Sequence, residues 1–419
     1  MIVPSRALPA LVLAVLTAAV TLSGCGSVRA ETQNKIDGRR LTIFISGPLY
    51  GASSVSGQAV VQGAELALRM AHGHVGPYRI TLKPVNDANI QTGTWDPGLT
   101  TANVHAAMLD RSLIGYIGDF NSGASAVSIP LLNRMGIPQI SPTSSAVGLT
   151  QGGPEASPGE PAKYYPTGRR TFARVVPSDT VQAAVLARLQ RESDCQRSYV
   201  LDDGEVDGLD VADAFGVAAK RAGLNVVGSS EYEPKAANYA SLAASVRQTG
   251  ADCVLLAALT ENHAARVTRA IAAALPEAQI FGTAGLAEST YVDPQSGGIP
   301  LGIDSRVLIT SPALDPMAYP RPGRRFFAQY ARRYGNPQPA AIFGYEAMSL
   351  MLNAISRATE DGTIEAARSS VVSALFSTRD RHSVLGTYSI NAHGDTSLNR
   401  YGVYRVVAGS LRFLKVMHG

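Results

Sequence analysis

Two short loops in this 419-residue chain carry residue types that could hold an anion. Gly118-Asp119-Phe120-Asn121-Ser122-Gly123 joins a strand-like run to a helical one. A helix start offers backbone N–H groups with no partner inside the helix, together with the positive end of the helix dipole. Both suit a carboxylate or another anionic group. Ser122 adds a hydroxyl donor, and Gly123 lets a ligand approach the backbone. Thr143-Ser144-Ser145, just past the next strand, sets three hydroxyls beside it. A plain structural reading stays open as well: N-capping by Ser122 and turn chemistry by the others.

Bond-breaking chemistry finds less support. There is no Gly-x-Ser-x-Gly elbow at a strand-to-helix turn, no Walker loop, and no Rossmann glycine fingerprint after the first strand. The serines of Gly51-Ala52-Ser53-Ser54-Val55-Ser56-Gly57 have no neighbouring histidine or lysine and read as a loop and helix start. His72 and His74 flank a glycine without a carboxylate or cysteine beside them, so no metal is expected. The acidic string Asp202-Asp203-Gly204-Glu205-Val206-Asp207-Gly208 lacks the closing glutamate of a calcium loop, because Ala214 stands in that place relative to Asp203. It reads as a strand end and loop at a cleft rim. No cofactor and no enzymatic activity are expected.

The elements that must position these loops alternate. From Leu41 the pattern predicts strands at Leu41–Ser46, Arg79–Val85, Leu113–Gly118 and Pro138–Ser141. Helices are predicted between them at Ser56–Ala71, Leu99–Asp110 and Ser122–Arg134. Gln151–Arg170 interrupts the rhythm as a long loop. The alternation then restarts, with strands at Thr171–Val176, Arg197–Asp203, Asn225–Ser229, Cys253–Ala258, Gln279–Gly282 and Arg306–Ser311. The intervening helices fall at Ser178–Glu192, Leu209–Ala222, around Tyr239–Gln248, and at Asn262–Ala274. Three further helices, Gly323–Tyr334, Pro339–Thr359 and Thr363–Ser377, precede Tyr388–Asn391 and a closing hairpin of Tyr401–Val407 and Leu411–Val416. Such βαβα order implies an α/β fold of two doubly wound parallel-sheet lobes, with ligand binding at the carboxyl ends of the strands.

Composition is that of a globular protein, 45% hydrophobic and 17% charged, with a formal charge of only +4. No nucleic-acid footprint is visible. Arg321, Arg324, Arg325, Arg332 and Arg333 cluster at helical spacing and read as a solvated helix face. At the amino terminus Arg6 precedes an apolar run, Ala7–Val20, that ends in Leu22-Ser23-Gly24-Cys25. This order reads as a secretory signal over residues 1–24 whose end resembles a bacterial lipobox, with Cys25 lipidated. The run is short for a membrane span and contains Pro9. Residues 25–40 read as a tether. The expected location is extracytoplasmic, with membrane attachment through lipid. Cys195 and Cys253 are then an even pair in an oxidising setting, at the same end of two strands that could be neighbours. A disulfide is expected, with two buried free thiols as the alternative.

The ordered set of short matches resembles the type I periplasmic binding proteins, in the branch of the leucine/isoleucine/valine-binding proteins of ABC importers. It includes Ser46-Gly47-Pro48-Leu49, Gly63-Ala64-Glu65-Leu66-Ala67, Gly115-Tyr116-Ile117-Gly118 and Gly136-Ile137-Pro138. Ile140-Ser141-Pro142, Val176-Pro177-Ser178-Asp179 and Asp213-Ala214-Phe215 continue it. The resemblance implies two lobes joined by a three-segment hinge: 41–174 plus 312–393 as one, 175–311 plus 394–419 as the other. It also implies an amino-acid-like ligand whose carboxylate is held by Ser122, Gly123, Thr143, Ser144 and Ser145, and ABC permease subunits as partners.

Departures from the family pattern matter too. Ser56-Gly57 and Asp207-Gly208 stand where an aromatic residue commonly precedes glycine. Ala284 falls where an acidic residue would pair with the ligand ammonium. Ser56, Asp207 and Thr283 would make the pocket more polar, with Asp207 or Glu288 as the ammonium partner. For Asp207, a helix N-cap is the alternative. The expected function is capture of a small polar, carboxylate-bearing solute. A ligand-sensing receptor lipoprotein and an extracytoplasmic enzyme are the other readings.

Overall fold

The computed structural model describes residues 34–419; the expected leader and Cys25 lie outside them. Strand β1 (Arg40–Gly47) is buried on both faces over all but its first residue, as a central strand of a parallel sheet must be. Around it come α1 (Ser54–Met70), β2 (His74–Val75), β3 (Tyr78–Asn86), α2 (Pro97–Leu109), β4 (Leu113–Ile117), α3 (Ser122–Arg134), β5 (Gln139–Ser141) and β6 (Phe172–Arg174). They form a six-stranded sheet in the order β2-β3-β1-β4-β5-β6, parallel except for the β2 edge.

A second lobe follows: α4 (Asp179–Glu192), β7 (Arg197–Asp202), α5 (Val206–Ala222), β8 (Asn225–Glu231), α6 (Ala240–Gln248), β9 (Cys253–Ala257), α7 (Ala264–Ala274), β10 (Gln279–Gly282), the short α8 (Ser289–Val292) and β11 (Val307–Ser311). The chain then returns to the first lobe with α9 (Arg321–Tyr334), α10 (Ala341–Ala358) and α11 (Arg368–Phe376). A two-stranded ribbon, β12 (Arg381–His382) and β13 (Thr387–Tyr388), leads to β14 (Arg400–Val407) and β15 (Ser410–His418). These last two complete the second sheet, β15-β14-β11-β10-β9-β7-β8. It is parallel from β11 to β8 and antiparallel at β14 and β15. Among the described residues no helix is long and apolar enough to cross a membrane.

Glycine sets the closest helix contact. A methyl group on Gly63 of α1 would sit 2.0 Å from the Ala341 carbonyl oxygen, and one on Gly344 of α10 would sit 2.0 Å from that of Val60. The two helices therefore approach backbone to backbone across the lobe-one core. In the second lobe, β7 and β9 are neighbours with Ser198 opposite Cys253, and Cys195 and Cys253 form a disulfide with their Cα atoms 5.8 Å apart.

Three segments differ from the pattern-based expectation. The last long helix begins at Arg368 instead of Thr363, because Asp361 and Gly362 turn with positive φ. The segment after them is pinned in place: the Tyr78 hydroxyl donates to the Ile364 carbonyl and accepts from the Ala366 N–H, each at 3.2 Å. Of Tyr388–Asn391, only Tyr388 is paired as a strand. Helix α5 starts at Val206, three residues early, with Glu205 at the cap position and Asp207 in its first turn. Asp207 is therefore not an N-cap. The arginines of α9 are exposed as expected, and the 151–170 loop packs through Tyr164 and Tyr165 against Ile129 of α3.

At the crossings between lobes a buried ion pair ties the chain together. Arg174 ends β6 and is fully buried, and Asp395 is 5% exposed. The guanidinium Nε donates to Asp395 Oδ1 at 2.8 Å, while its other nitrogens reach the Ala146 carbonyl and the Thr150 hydroxyl, each at 2.7 Å. Arg174→Met would leave Asp395 buried without a countercharge. The expected cost is about 3–5 kcal/mol, measured as a lower midpoint in urea unfolding. An unchanged midpoint would show that the pair contributes nothing to stability.

Candidate functional site

Between the lobes, at the carboxyl ends of both parallel sheets, lies a cavity of about 120 Å³. A buried apolar cavity of ~150 Å³ holds a benzene-sized molecule, so this one suits a solute of few heavy atoms. Lobe one contributes Ser53, Ser56, Phe120, Asn121, Thr143 and Ser145 to its wall; lobe two contributes Asp179, Asp207, Val211, Leu259, Thr283 and Glu288. Pro339 and Phe343, just before and at the start of α10, add an apolar patch. No lysine, arginine or histidine is among the described residues that line it.

Of the residues singled out from sequence, Ser56, Thr143, Ser145, Asp207 and Thr283 line this cavity. Ser122, Gly123 and Ser144 do not, and each has a local reason. The Ser122 hydroxyl donates to Asp207 and accepts from the N–H groups of Ser145 and Ala146, both at 3.2 Å. Gly123 lies under Trp95, whose ring would be 2.5 Å from an added methyl. The Ser144 hydroxyl is fully buried between Ser125 and the Asp119 carbonyl. Thr143 is on the wall, but its hydroxyl donates to the Phe120 carbonyl at 2.6 Å.

Sequence reasoning missed much of the rest of the wall and its surroundings. Asp179 was noticed only as part of a matching stretch. It is fully buried, and neither carboxylate oxygen has a hydrogen-bond partner. Asn121, 2% exposed, likewise has a side-chain oxygen without a partner. Buried acceptors without partners are costly and uncommon, so these two mark where a donor belongs.

Across the cleft one arrangement recurs, a neutral donor on lobe one facing a carboxyl on lobe two, while Thr290 runs the other way and donates to the Ala52 carbonyl at 3.0 Å. Ser53 donates to Glu261 at 2.5 Å and Ser56 to Glu288 at 2.8 Å. The Trp95 indole N–H reaches Glu205 at 3.2 Å, and its backbone N–H points to Glu261 at 3.4 Å. The Gly148 N–H donates to Asp210 at 2.9 Å, and Ser122 to Asp207 completes the row. The partners in this row are 62 to 232 residues apart in sequence, and no local motif announces them.

Burial raises the affinity of this face for protons. Loss of hydration pushes Glu288 up to about 8 despite its bond from Ser56, Glu205 and Asp210 up to about 7, and Asp203 up to about 6. Asp179 is raised well above the ordinary range, first by burial and then by the charges of Asp207 and Asp210. A carboxyl whose value is raised in the closed form binds more protons there than when hydrated. The closed form is therefore favoured at pH below the ordinary carboxyl values and loses stability as pH rises through the raised ones. Without solute, the closed fraction should fall between about pH 5 and 8.5. The fluorescence of Trp95, the single tryptophan, reports this, and a pH-independent signal would contradict it.

A family model described as periplasmic binding protein matches residues 41–410. By sequence alone, the comparison with curated proteins gives no significant match. Solved structures share the fold at low identity. The leucine-binding protein LivK from Thermotoga maritima is 19% identical, with a TM-score of 0.76 over 90% of this chain and 99% of that one. The branched-chain amino acid transporter substrate-binding protein LivJ from Streptococcus pneumoniae, in complex with isoleucine, is 16% identical, with a TM-score of 0.74 over 91% and 100%. A solute-binding protein of an ABC transporter from R. palustris, in complex with benzoate, is also 16% identical, with a TM-score of 0.72 over 90% and 96%. With the family model spanning nearly all of both lobes, this chain belongs to the periplasmic binding protein family.

Proposed function

We propose that this is an extracytoplasmic solute-binding protein of an ABC importer, which captures an amino acid or related small polar compound between its two lobes and closes on it. The mechanism is binding and closure about the three crossings, with no bond chemistry. The lobes are residues 41–174 plus 312–393, and 175–311 plus 394–419. Residues 1–24 are the secretory signal, Cys25 carries the lipid that holds the body to the membrane, and the permease subunits receive the solute. Leucine, isoleucine and benzoate in the names of structural neighbours support a small organic solute.

One observation carries the reading: Asp179, fully buried, lines a cavity between the lobes, and neither of its carboxylate oxygens has a hydrogen-bond partner. An ammonium group would supply the missing donors and the missing charge. Ser56, Thr283 and Glu288 surround the rest of the solute, while Thr143 and Ser145 face its polar end, backed by Ser122, Gly123 and Ser144. Removing one partner of a buried, hydrogen-bonded charge pair costs about 2–5 kcal/mol, so Asp179→Asn should weaken binding at least about 30-fold. A thermal-shift screen of the body after Cys25 with amino acids, amides, amines, organic acids and sugars tests this, since a solute that binds only the folded state raises the midpoint. A shift with amine-bearing compounds, lost in D179N, is expected. A response confined to sugars, or undiminished in D179N, would contradict the reading.

A further inference from the structure

We propose that Asp207 is a specificity-determining residue: its carboxylate holds the start of α3, where a solute carboxylate would otherwise dock, so the cleft ranks primary amides and amines above the matching free amino acids. This rests on the solute-binding reading and narrows it.

Helix α3 is thirteen residues long and opens with Ser122. That end of the helix is where an anion is best placed, by partial charge and by unpartnered N–H groups. The Ser122 hydroxyl is fully engaged: it donates to Asp207 and accepts from the Ser145 and Ala146 N–H groups. The protein thus meets the positive end of α3 with a carboxyl group from its own opposite lobe. A solute carboxylate reaches the Ser122 hydroxyl only by displacing Asp207, which would then be left without its partner.

The remainder of the wall points the same way. Asp179, Asp207 and Glu288 all line the cavity, and Asp207 and Asp179 repel each other. The arginine close enough to act on both carboxyls is Arg174. Its nitrogens are held by Asp395, Thr150 and the Ala146 carbonyl, and it is not part of the wall. What the cavity offers unsatisfied are acceptors, both Asp179 oxygens and the Asn121 side-chain oxygen. A further anion would add charge to three carboxyls with no cation in contact. An ammonium group with a short aliphatic body matches the acceptors and the apolar surfaces of Phe120, Val211, Leu259 and Phe343.

Calorimetric titration of the lipid-free body with valine, valinamide and isobutylamine separates the possibilities. The wild-type protein should bind valinamide and isobutylamine at least tenfold more tightly than valine. Asp207→Ser, and the nearly isosteric Asp207→Asn, should each improve valine binding at least tenfold while gaining little for the amide. The inference is overturned, with the solute-binding reading intact, if valine binds the wild type as tightly as valinamide or if both variants leave the ranking unchanged. If none of the three compounds binds any of the proteins, the inference falls, while the solute-binding reading stands or falls by the thermal-shift screen.

Discussion

Closure of this cleft is governed by an imbalance of charge. Lobe two presents Asp179, Glu205, Asp207, Asp210, Glu261 and Glu288 toward the cleft, and lobe one answers with hydroxyls, an indole and backbone N–H groups. A neutral donor satisfies a carboxylate's lone pair without cancelling its charge. The closed form must therefore take up protons or enclose a positive group. Raised proton affinity across this face and the unpartnered Asp179 are two expressions of that one constraint.

The fold explains why the cation is not supplied from within. Arg174 ends β6, the last strand of the first sheet, and Asp395 lies between the β12–β13 ribbon and β14 of the second. Pairing them takes the guanidinium out of the site. Each sheet delivers its strand ends to the cleft: Ser46 and Gly47 from β1, the 118–123 loop after β4, Asp202 from β7 and Gly282 from β10. Close packing of α1 on α10 through Gly63 and Gly344 sets Ser56, Pro339 and Phe343 on the same side of the cavity. The cavity is thus built by rigid elements, and its chemistry is decided by a few loop and helix-start residues.

Much of the architecture was legible because it is periodic. Short apolar runs such as Leu41–Ser46 and Cys253–Ala258 marked buried parallel strands, and the pairing of β7 with β9 brings Cys195 next to Cys253. The two anion-loop segments were recognisable from a helix start and a run of hydroxyls. Which of those hydroxyls remain free was not, because that depends on a residue in the other lobe: Ser122 meets Asp207, 85 positions away. Asp207 was legible as a polar replacement for an aromatic, yet its placement in the first turn of α5 depended on a helix starting three residues early. Trp95 and Glu261 carried no local signal, since their contacts to each other form only across the cleft, and Glu205 was legible only as part of an acidic loop at the cleft rim.

The central claim is that these lobes close on a solute. Spin labels on exposed positions of the two lobes, Leu109 on α2 and Val407 at the end of β14, allow their separation to be measured by pulsed electron resonance during a solute titration. The account predicts a broad or long distance distribution at pH 8.5 without solute, which shortens and narrows as a saturating solute is added. A single distribution, identical with and without a solute shown by calorimetry to be bound, would contradict it.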